Sequence, residues 1–420
     1  LIAAVIYRLF YAERQPVVIS TSTIALQKAL TEEYIPQISE ILLEHRIIEE
    51  PLTFAVRKGK NHYACDSRVK TYLSSVRHNN RPEDGTLIEA LTALFVGATP
   101  LDLDSQPLTD YVKERICVED CRNTCGLSSV CRYRTFLRKS NQGKVDFQIA
   151  NHNLVLADVL SRKGGRNRLL PEHGILIFDE AHRLPEAAGQ MYGIIFEDVE
   201  LERVAASIAR AVAGRPEKRG VIPLCGEMLE LNTALFENLK RFAGARYDNN
   251  TMEVIFTPST LLSLKALSAV VKSLSVLFHT ADRKNAAYRR ISGRLEQKQE
   301  KLSSLYNHAA FICWLEYTGV TACRLCALPK NLDFLLHEDL WSRGRPYLLT
   351  SATLSVGGDF SRYMHQTGID LLNRKQILAV SKASPFDYWN HALLYLPEDM
   401  PFPNARKPAY RKAVADMEQM

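Results

Sequence analysis

No string of the form G-x-x-x-x-G-K-S/T, the loop whose backbone N–H groups and lysine cradle nucleotide phosphates, occurs among these 420 residues. The Gly-Lys pairs Gly59-Lys60 and Gly143-Lys144 are followed by Asn61 and Val145 and lack the earlier glycine. No apolar stretch approaches the roughly 18 to 20 residues that span a bilayer, and no charged region precedes the opening apolar run. Neither an anchor nor a signal peptide is therefore visible, and a cytosolic protein is expected. No internal repeat appears. Neither sign of charge dominates: 53 basic against 47 acidic side chains give a net +6, compatible with nucleic acid without demanding it. With 46% hydrophobic and 24% charged residues the chain is an ordinary globular one, neither disordered nor collagen-like. Its length suits roughly two to four domains.

What is present begins with "ILIFDEAHRL", Ile175 to Leu184, an apolar strand running into Asp179-Glu180-Ala181-His182. Any strand can end in a carboxylate, and acidic pairs also cap helices. This arrangement supplies more: one carboxylate for magnesium, a second to orient or deprotonate water, and a polar histidine to sense a neighbouring domain. Short apolar runs at 16–20, 52–58, 174–180, 346–352 and 391–396 alternate with helical stretches, which predicts a parallel sheet covered by helices. Residues 59–150 hold little strand signal and five cysteines. Residues 196–310 read as long amphipathic helices, so both segments look like insertions into one α/β domain.

Nine cysteines without a secretory signal argue against a disulfide framework. Five concentrate at Cys65, Cys117, Cys121, Cys125 and Cys131, with three, three and five residues between successive members from Cys117 onward. Four thiolates suit either zinc or an iron-sulfur cluster, and residue types alone do not choose. Cys225 and Cys313 read as small buried hydrophobes, and the lone pair Cys323 and Cys326 as packing. After Cys131, "RYRTFLRKS" interleaves Arg132, Arg134, Arg138 and Lys139 with Tyr133 and Phe136. Such a run is either a solvated helix face or a surface for a single nucleic-acid strand, where backbone contact and base stacking combine.

In order along the chain, "VVISTSTIALQKAL", "VRKGKNHYAC", "ANHNLVLAD", "LLTSATLS" and "SPFDYWNHALLYLPEDMPFPN" resemble the conserved blocks of DinG/XPD-type iron-sulfur helicases of superfamily 2, bacterial DinG above all. The resemblance covers nearly the whole chain. It implies an α/β fold: a RecA-like motor domain at 1–58, 151–195 (with the DEAH box) and 311–380 (with the TSAT motif), an iron-sulfur insertion at 59–150, a helical arch at 196–310, and the start of a second RecA-like domain at 381–420. It implies ATP and Mg²⁺, with Asp179 on magnesium, Glu180 on the attacking water, and His182, Ser351, Ala352 and Thr353 relaying nucleotide state. A 4Fe-4S cluster would sit on Cys65, Cys121, Cys125 and Cys131, with Cys117 the alternative ligand and zinc the alternative metal. Thr21, Thr23 and Gln27 would touch DNA phosphates, joined by Arg132, Tyr133, Arg134, Arg138 and Lys139.

The implied activity is ATP-driven 5′ to 3′ movement on single-stranded and forked DNA in the bacterial cytoplasm, at the nucleoid, in repair or replication. The start at Leu1 and the stop in a helical pattern lead us to expect an internal fragment. The phosphate loop would lie just before residue 1 and the arginine motifs beyond Met420, so these 420 residues alone should hydrolyse no ATP. The competing class is a non-hydrolysing, metal-stabilised nucleic-acid-binding protein. Exonuclease-fused and CRISPR-associated DinG-like relatives, which commonly lack the cysteines, are disfavoured by the five here.

Overall fold

The computed structural model describes residues 1–11, 15–79, 84–119, 121, 125–141, 145–165, 168–247, 250–282, 285–318, 322–382, 386–391, 400–401 and 407–418. They divide into two units, Leu1–Ile377 and Leu378–Met420. The first is an α/β unit around a five-stranded parallel sheet in the order β10-β4-β1-β3-β2. Its strands are β1 (Val17–Ser20), β2 (Phe54–Val56), β3 (Phe147–Ala150), β4 (Ile175–Asp179) and β10 (Tyr347–Thr350). Strand side chains alternate, so Val18, Leu176 and Phe178 enter one core with Leu184 and Trp341, while Val17, Ile19 and Ile177 enter the other with Ala4, Val5 and Ile35. Burial on both faces explains the unbroken apolar runs.

Between β2 and β3 lies a small helical unit, with helices Asp66–Asn79, Gly85–Val96, Asp110–Ile116 and Arg132–Asn141. Val69, Leu73, Leu91, Leu94 and Ile116 form its own core. The expected boundary at residue 150 needs correcting here. β3 belongs to the parallel sheet, paired with β1 through Phe147 and Val17.

The expectation for 196–310 also needs correcting, because this region is not purely helical. Strands β5 (Ile194–Glu197), β6 (Ala243–Arg246), β7 (Thr251–Val254), β8 (Phe311–Tyr317) and β9 (Cys323–Pro329) form an antiparallel sheet in the order β5-β9-β8-β7-β6. Leu315 and Leu325 of β8 and β9 share a core with helices Glu200–Ala211, Lys218–Arg241, Pro258–Ala281 and Ala286–Tyr306. Residues 311–329 therefore belong with this unit and not with the motor sheet, since their apolar faces pack there. The helix Pro258–Ala281 is long and apolar enough by composition to cross a membrane, contrary to the sequence reading. Here Leu264, Leu267, Val271 and Leu274 spend that apolarity on the same core.

In the second unit, Tyr388–His391 and Pro408–Glu418 are helical. Of the strand expected at 391–396, His391 ends a helix, and 392–396 lie outside the described residues.

Candidate active site at the strand ends

The pairing of β4 with β10 places Thr350 opposite Asp179, so the turns that follow the two strands begin side by side. Glu180 then takes φ 50° and ψ 46°, a left-handed conformation that costs a non-glycine residue on the order of 1 kcal/mol. The kink ends β4 and starts the tight turn Ala181–Arg183, whose buried Ala181 carbonyl accepts the Tyr363 hydroxyl at 2.8 Å. Both carboxylates are left half-buried at the sheet's edge.

Side chains from both turns then meet. His182 Nδ1 and Ser351 Oγ are 2.8 Å apart, and the Ser351 hydroxyl donates to Glu180 Oε2 at 3.4 Å. The same His182 nitrogen lies 3.2 Å from Glu180 Oε2. Thr353 adds only its N–H, which donates to Ser351 Oγ at 3.3 Å, and Ala352 is exposed. Thr21 Oγ1 donates to Asp179 Oδ2 at 3.5 Å. Burial, with the neighbouring Glu180 charge, raises the Asp179 carboxyl above its usual range, against the opposing influence of the Glu180 N–H and the Thr21 hydroxyl.

Two contributors escaped the sequence reading. Ser20 Oγ and His152 Nδ1 are 2.6 Å apart, and His152 Nε2 faces the Glu180 carbonyl at 3.5 Å. Burial lowers the His152 pKa, which keeps the ring neutral, able to accept from Ser20 and donate to Glu180. The only available signal was a polar Asn151-His152 directly after a buried strand.

The residues expected on DNA divide. Thr21 is fully buried against Asp179, and so belongs to the carboxylate site and not to a phosphate surface. Thr23 caps the helix Ile24–Ala29 by accepting from Leu26 N–H and is itself exposed; Gln27 is half-buried. Arg132 is committed: its Nε and Nη2 donate to Asp66 Oδ1 at 2.9 and 2.6 Å, and Nη2 also donates to the Leu94 carbonyl at 2.5 Å. Tyr133 is buried, its ring 5.4 Å from that of Tyr63, so it packs the core and offers no face to a base. Arg134 is half-buried, whereas Arg138 and Lys139 at the helix end are exposed.

Around the cysteines, Cys131 is buried in a cluster with Tyr63, Val118 and Tyr133, against which Cys65 packs. Cys65 N–H donates to the Ile116 carbonyl at 2.8 Å. Cys121 is exposed and Cys125 half-buried. Partial burial raises the Cys121 thiol, and the neighbouring Cys131, Cys65 and Cys125 add to the shift while Arg134 opposes it. Cys117 is likewise raised by burial, and of the other cysteines it feels Cys65. Its Sγ donates to the Glu114 carbonyl at 3.4 Å. Among the described residues, no three Cys, His, Asp or Glu side chains stand close enough to hold one ion. Cys225, Cys313, Cys323 and Cys326 lie in the second insertion, each thiol pushed up to about 11 by burial.

The first unit is thus a parallel α/β sheet with paired carboxylates at one strand end and a serine turn beside it. The comparisons narrow the class. No family model matches the chain. It is 24% identical over 418 residues to the ATP-dependent DNA helicase YoaA of Escherichia coli K12, covering 93% of this chain and 60% of that protein. It is 25% identical over 441 residues to the ATP-dependent DNA helicase DinG of Photobacterium profundum, covering 90% and 60%. A solved structure of S. tokodaii Xpd4 aligns with a TM-score of 0.29 and 12% identity over 81% of this chain and 56% of that one. The resemblance to DinG-type helicases holds along nine-tenths of the chain, which spans about 60% of the length of those curated relatives.

Proposed function

We propose that this chain is the greater part of an ATP-dependent DNA helicase of the DinG type. The observation that carries the reading is the register of Thr350 with Asp179, which lets Ser351 bridge Glu180 and His182 across two strands. In this reading Asp179 holds Mg²⁺ bound to ATP, and Glu180 orients the water that attacks the terminal phosphate. His182 and Ser351 pass the state of Glu180 to β10 and the chain beyond. Catalysis of this kind is mostly positioning and charge stabilisation, so preset side-chain contacts are the relevant evidence.

The helical unit after β2 would carry a 4Fe-4S cluster. Cys65 and Cys131 stand on packed elements beside Tyr63, Tyr133 and Phe136, Cys121 and Cys125 lie between them in the sequence, and thiolates are the donors such a cluster takes. When bound, it would tie the loop to the helices that flank it. The second insertion corresponds to the arch, and Thr23, Gln27, Arg134, Arg138 and Lys139 would face the DNA backbone. The motor would move 5′ to 3′ on single-stranded and forked DNA in the bacterial cytoplasm, in repair or replication.

The test uses the full-length protein, prepared without air. It should hydrolyse ATP faster with single-stranded DNA, unwind forks with a 5′ tail in preference to a 3′ tail, and carry iron and sulfide. DNA-independent ATP turnover without unwinding would sink the reading.

A further inference from the structure

The turn that carries Glu180 is held by two distant side chains that act on its backbone. Its local hydrogen bonds are those of any tight turn: Arg183 N–H donates to the Glu180 carbonyl at 3.0 Å, and Leu184 N–H donates to the Ala181 carbonyl. Each of these successive carbonyls has a second lone pair, and each turns it to a residue far away in the chain. His152 Nε2 faces the Glu180 carbonyl at 3.5 Å, and the Tyr363 hydroxyl donates to the Ala181 carbonyl at 2.8 Å inside the core. The local pair shapes the turn; the remote pair fixes how the turn is set against the sheet.

The Tyr363 contact is the shorter of the two, and its donor is well braced. Tyr363 lies on the helix Ser361–Thr367, which follows the serine turn after β10. Thr367 Oγ1 donates to the Tyr363 carbonyl at 2.8 Å, and the Thr367 carbonyl accepts from Trp341 Nε1 at 2.7 Å. The Trp341 ring meets Phe178 edge-on at 6.1 Å, and Phe178 in turn meets His152 at 5.5 Å. Phe178 is two residues before Glu180, so these contacts close a ring that runs from β4 through Trp341 and the helix of Tyr363 back to the turn after β4. Burial pushes the Tyr363 phenol up, so it stays protonated and remains a donor.

Glu180 needs such a brace because its φ of 50° is one that a residue with a side chain leaves when it is free to do so. On its N-terminal side, Asp179 is fixed by pairing with Thr350. On its C-terminal side, only the turn restrains it. With the Ala181 carbonyl held, the Glu180 backbone is set from both directions. Its carboxylate then moves about side-chain torsions alone, which the bond from Ser351 limits.

We infer that Tyr363 is a positioning residue for Glu180: its hydroxyl, through the Ala181 carbonyl, holds the turn in the left-handed form that aims the Glu180 carboxylate at the attacking water. The inference rests on the helicase reading of Glu180 and adds to it a buried residue on another element. Removing the hydroxyl leaves the Ala181 carbonyl its bond from Leu184 N–H, so the fold survives and only the aim is loosened.

The experiment measures DNA-stimulated ATP hydrolysis, equilibrium ATP binding and thermal melting of the full-length protein. Tyr363→Phe should lower kcat roughly ten- to hundredfold, the scale of a small misplacement made away from the chemistry, with ATP affinity unchanged. Tyr347→Phe is the control: it removes another tyrosine hydroxyl of the same core, donated to the Leu340 carbonyl, and should lower the melting temperature without lowering kcat. In a Glu180→Gln background Tyr363→Phe should lower kcat no further, because a residue that acts through Glu180 has nothing left to position. Wild-type kcat in Tyr363→Phe, a fall of the same size in Tyr347→Phe, or a full additional fall in the double variant overturns the inference alone. A wild type that hydrolyses no ATP with single-stranded DNA overturns the helicase reading and the inference together.

Discussion

At the strand ends, Asp179, Glu180, His182, Ser351 and Thr21 are already joined to one another by side-chain contacts, and the backbone around them is fixed by two paired strands and a buried turn. The cysteine loop is built differently: Cys65 and Cys131 sit on packed elements, whereas Cys121 lies exposed between masses of local structure. The first site is organised by the sheet itself. The second has its two ends anchored through contacts of Ile116, Tyr63 and Asp66. Preorganisation by the fold suits a site that must hold charge through a transition state, and, under the reading proposed above, cysteines on separate elements would couple folding to metal loading.

The largest expected effect comes from removing the charge that the sheet presents. In the full-length protein, Glu180→Gln keeps the shape and a hydrogen-bond acceptor for Ser351. It should lower DNA-stimulated ATP hydrolysis by roughly 10² to 10⁴, the usual share of a positioned base, with ATP affinity nearly intact. Steady-state turnover and equilibrium nucleotide binding read the two separately. Parallel losses would mean that Glu180 serves its own turn, where its left-handed backbone is already costly.

On the cysteine side, Cys131→Ser should strip the brown colour, most of the iron and most of the unwinding while far-UV circular dichroism stays close to the wild type. The loop's neighbours have a core of their own, in Val69, Leu73, Leu91 and Leu94, that does not depend on Cys131. Retained iron with lost unwinding would place Cys131 in packing and move the ligand set elsewhere.

The same contrast explains what could be read from the sequence. β1 and β4 announced themselves as apolar runs because strands buried on both faces hold few polar interruptions, and the half-exposed edge strands β2 and β10 did so by composition alone. β3 did not, since its Gln148 is buried but paired with Arg57 and the Ser140 carbonyl, contacts between residues far apart in the chain. The acidic pair was visible as residues; that Thr21 and His152 complete it was not, because only the sheet order brings β1 and the turn after β3 beside β4. Tyr133 and Phe136 mimicked a stacking surface. Their spacing of three is equally that of a helix face, and Tyr63 waits beneath it. Strands β6 and β7 are short, half-exposed and poor in apolar residues, so nothing local separated them from the surrounding helices.

A smaller effect should come from the far end of the same strands, and it sharpens the claim that pairing sets the site. His173, just before β4, is 2.6 Å through Nε2 from Arg345 Nη1, just before β10. Its Nδ1 donates to the Pro171 carbonyl at 3.0 Å, so the ring accepts from Arg345 only while neutral. Burial, joined by Arg345 and Arg162, pushes its pKa down to about 4 from 6.5. An unfolded imidazole protonates first, so this residue's contribution is complete above 6.5 and is lost as pH falls toward 4. The full loss is on the order of 3 kcal/mol. Thermal melts between pH 7 and 4 should show this drop, and His173→Gln should flatten it. An equal slope in the variant would assign the acid sensitivity to other groups.

The smallest effect is predicted for Cys117, and it decides how far the cysteine loop is fixed without its cofactor. Its backbone already pairs with Ala64, its N–H donates to the Lys113 carbonyl, and its thiol donates to Glu114 at the end of helix Asp110–Ile116. It is therefore occupied by local structure. Cys121 feels Cys65, Cys125 and Cys131 together. Cys117→Ser in the full-length protein should keep its colour, its iron near four per chain and its unwinding rate, because serine retains the hydroxyl donor to the Glu114 carbonyl. Cys121→Ser should bleach. If the two results are exchanged, the loop rearranges on loading so that Cys117 leaves its helix end, and the ligand set is Cys65, Cys117, Cys125 and Cys131; if both bleach, five thiols share the site and its geometry depends on the metal more than on the fold.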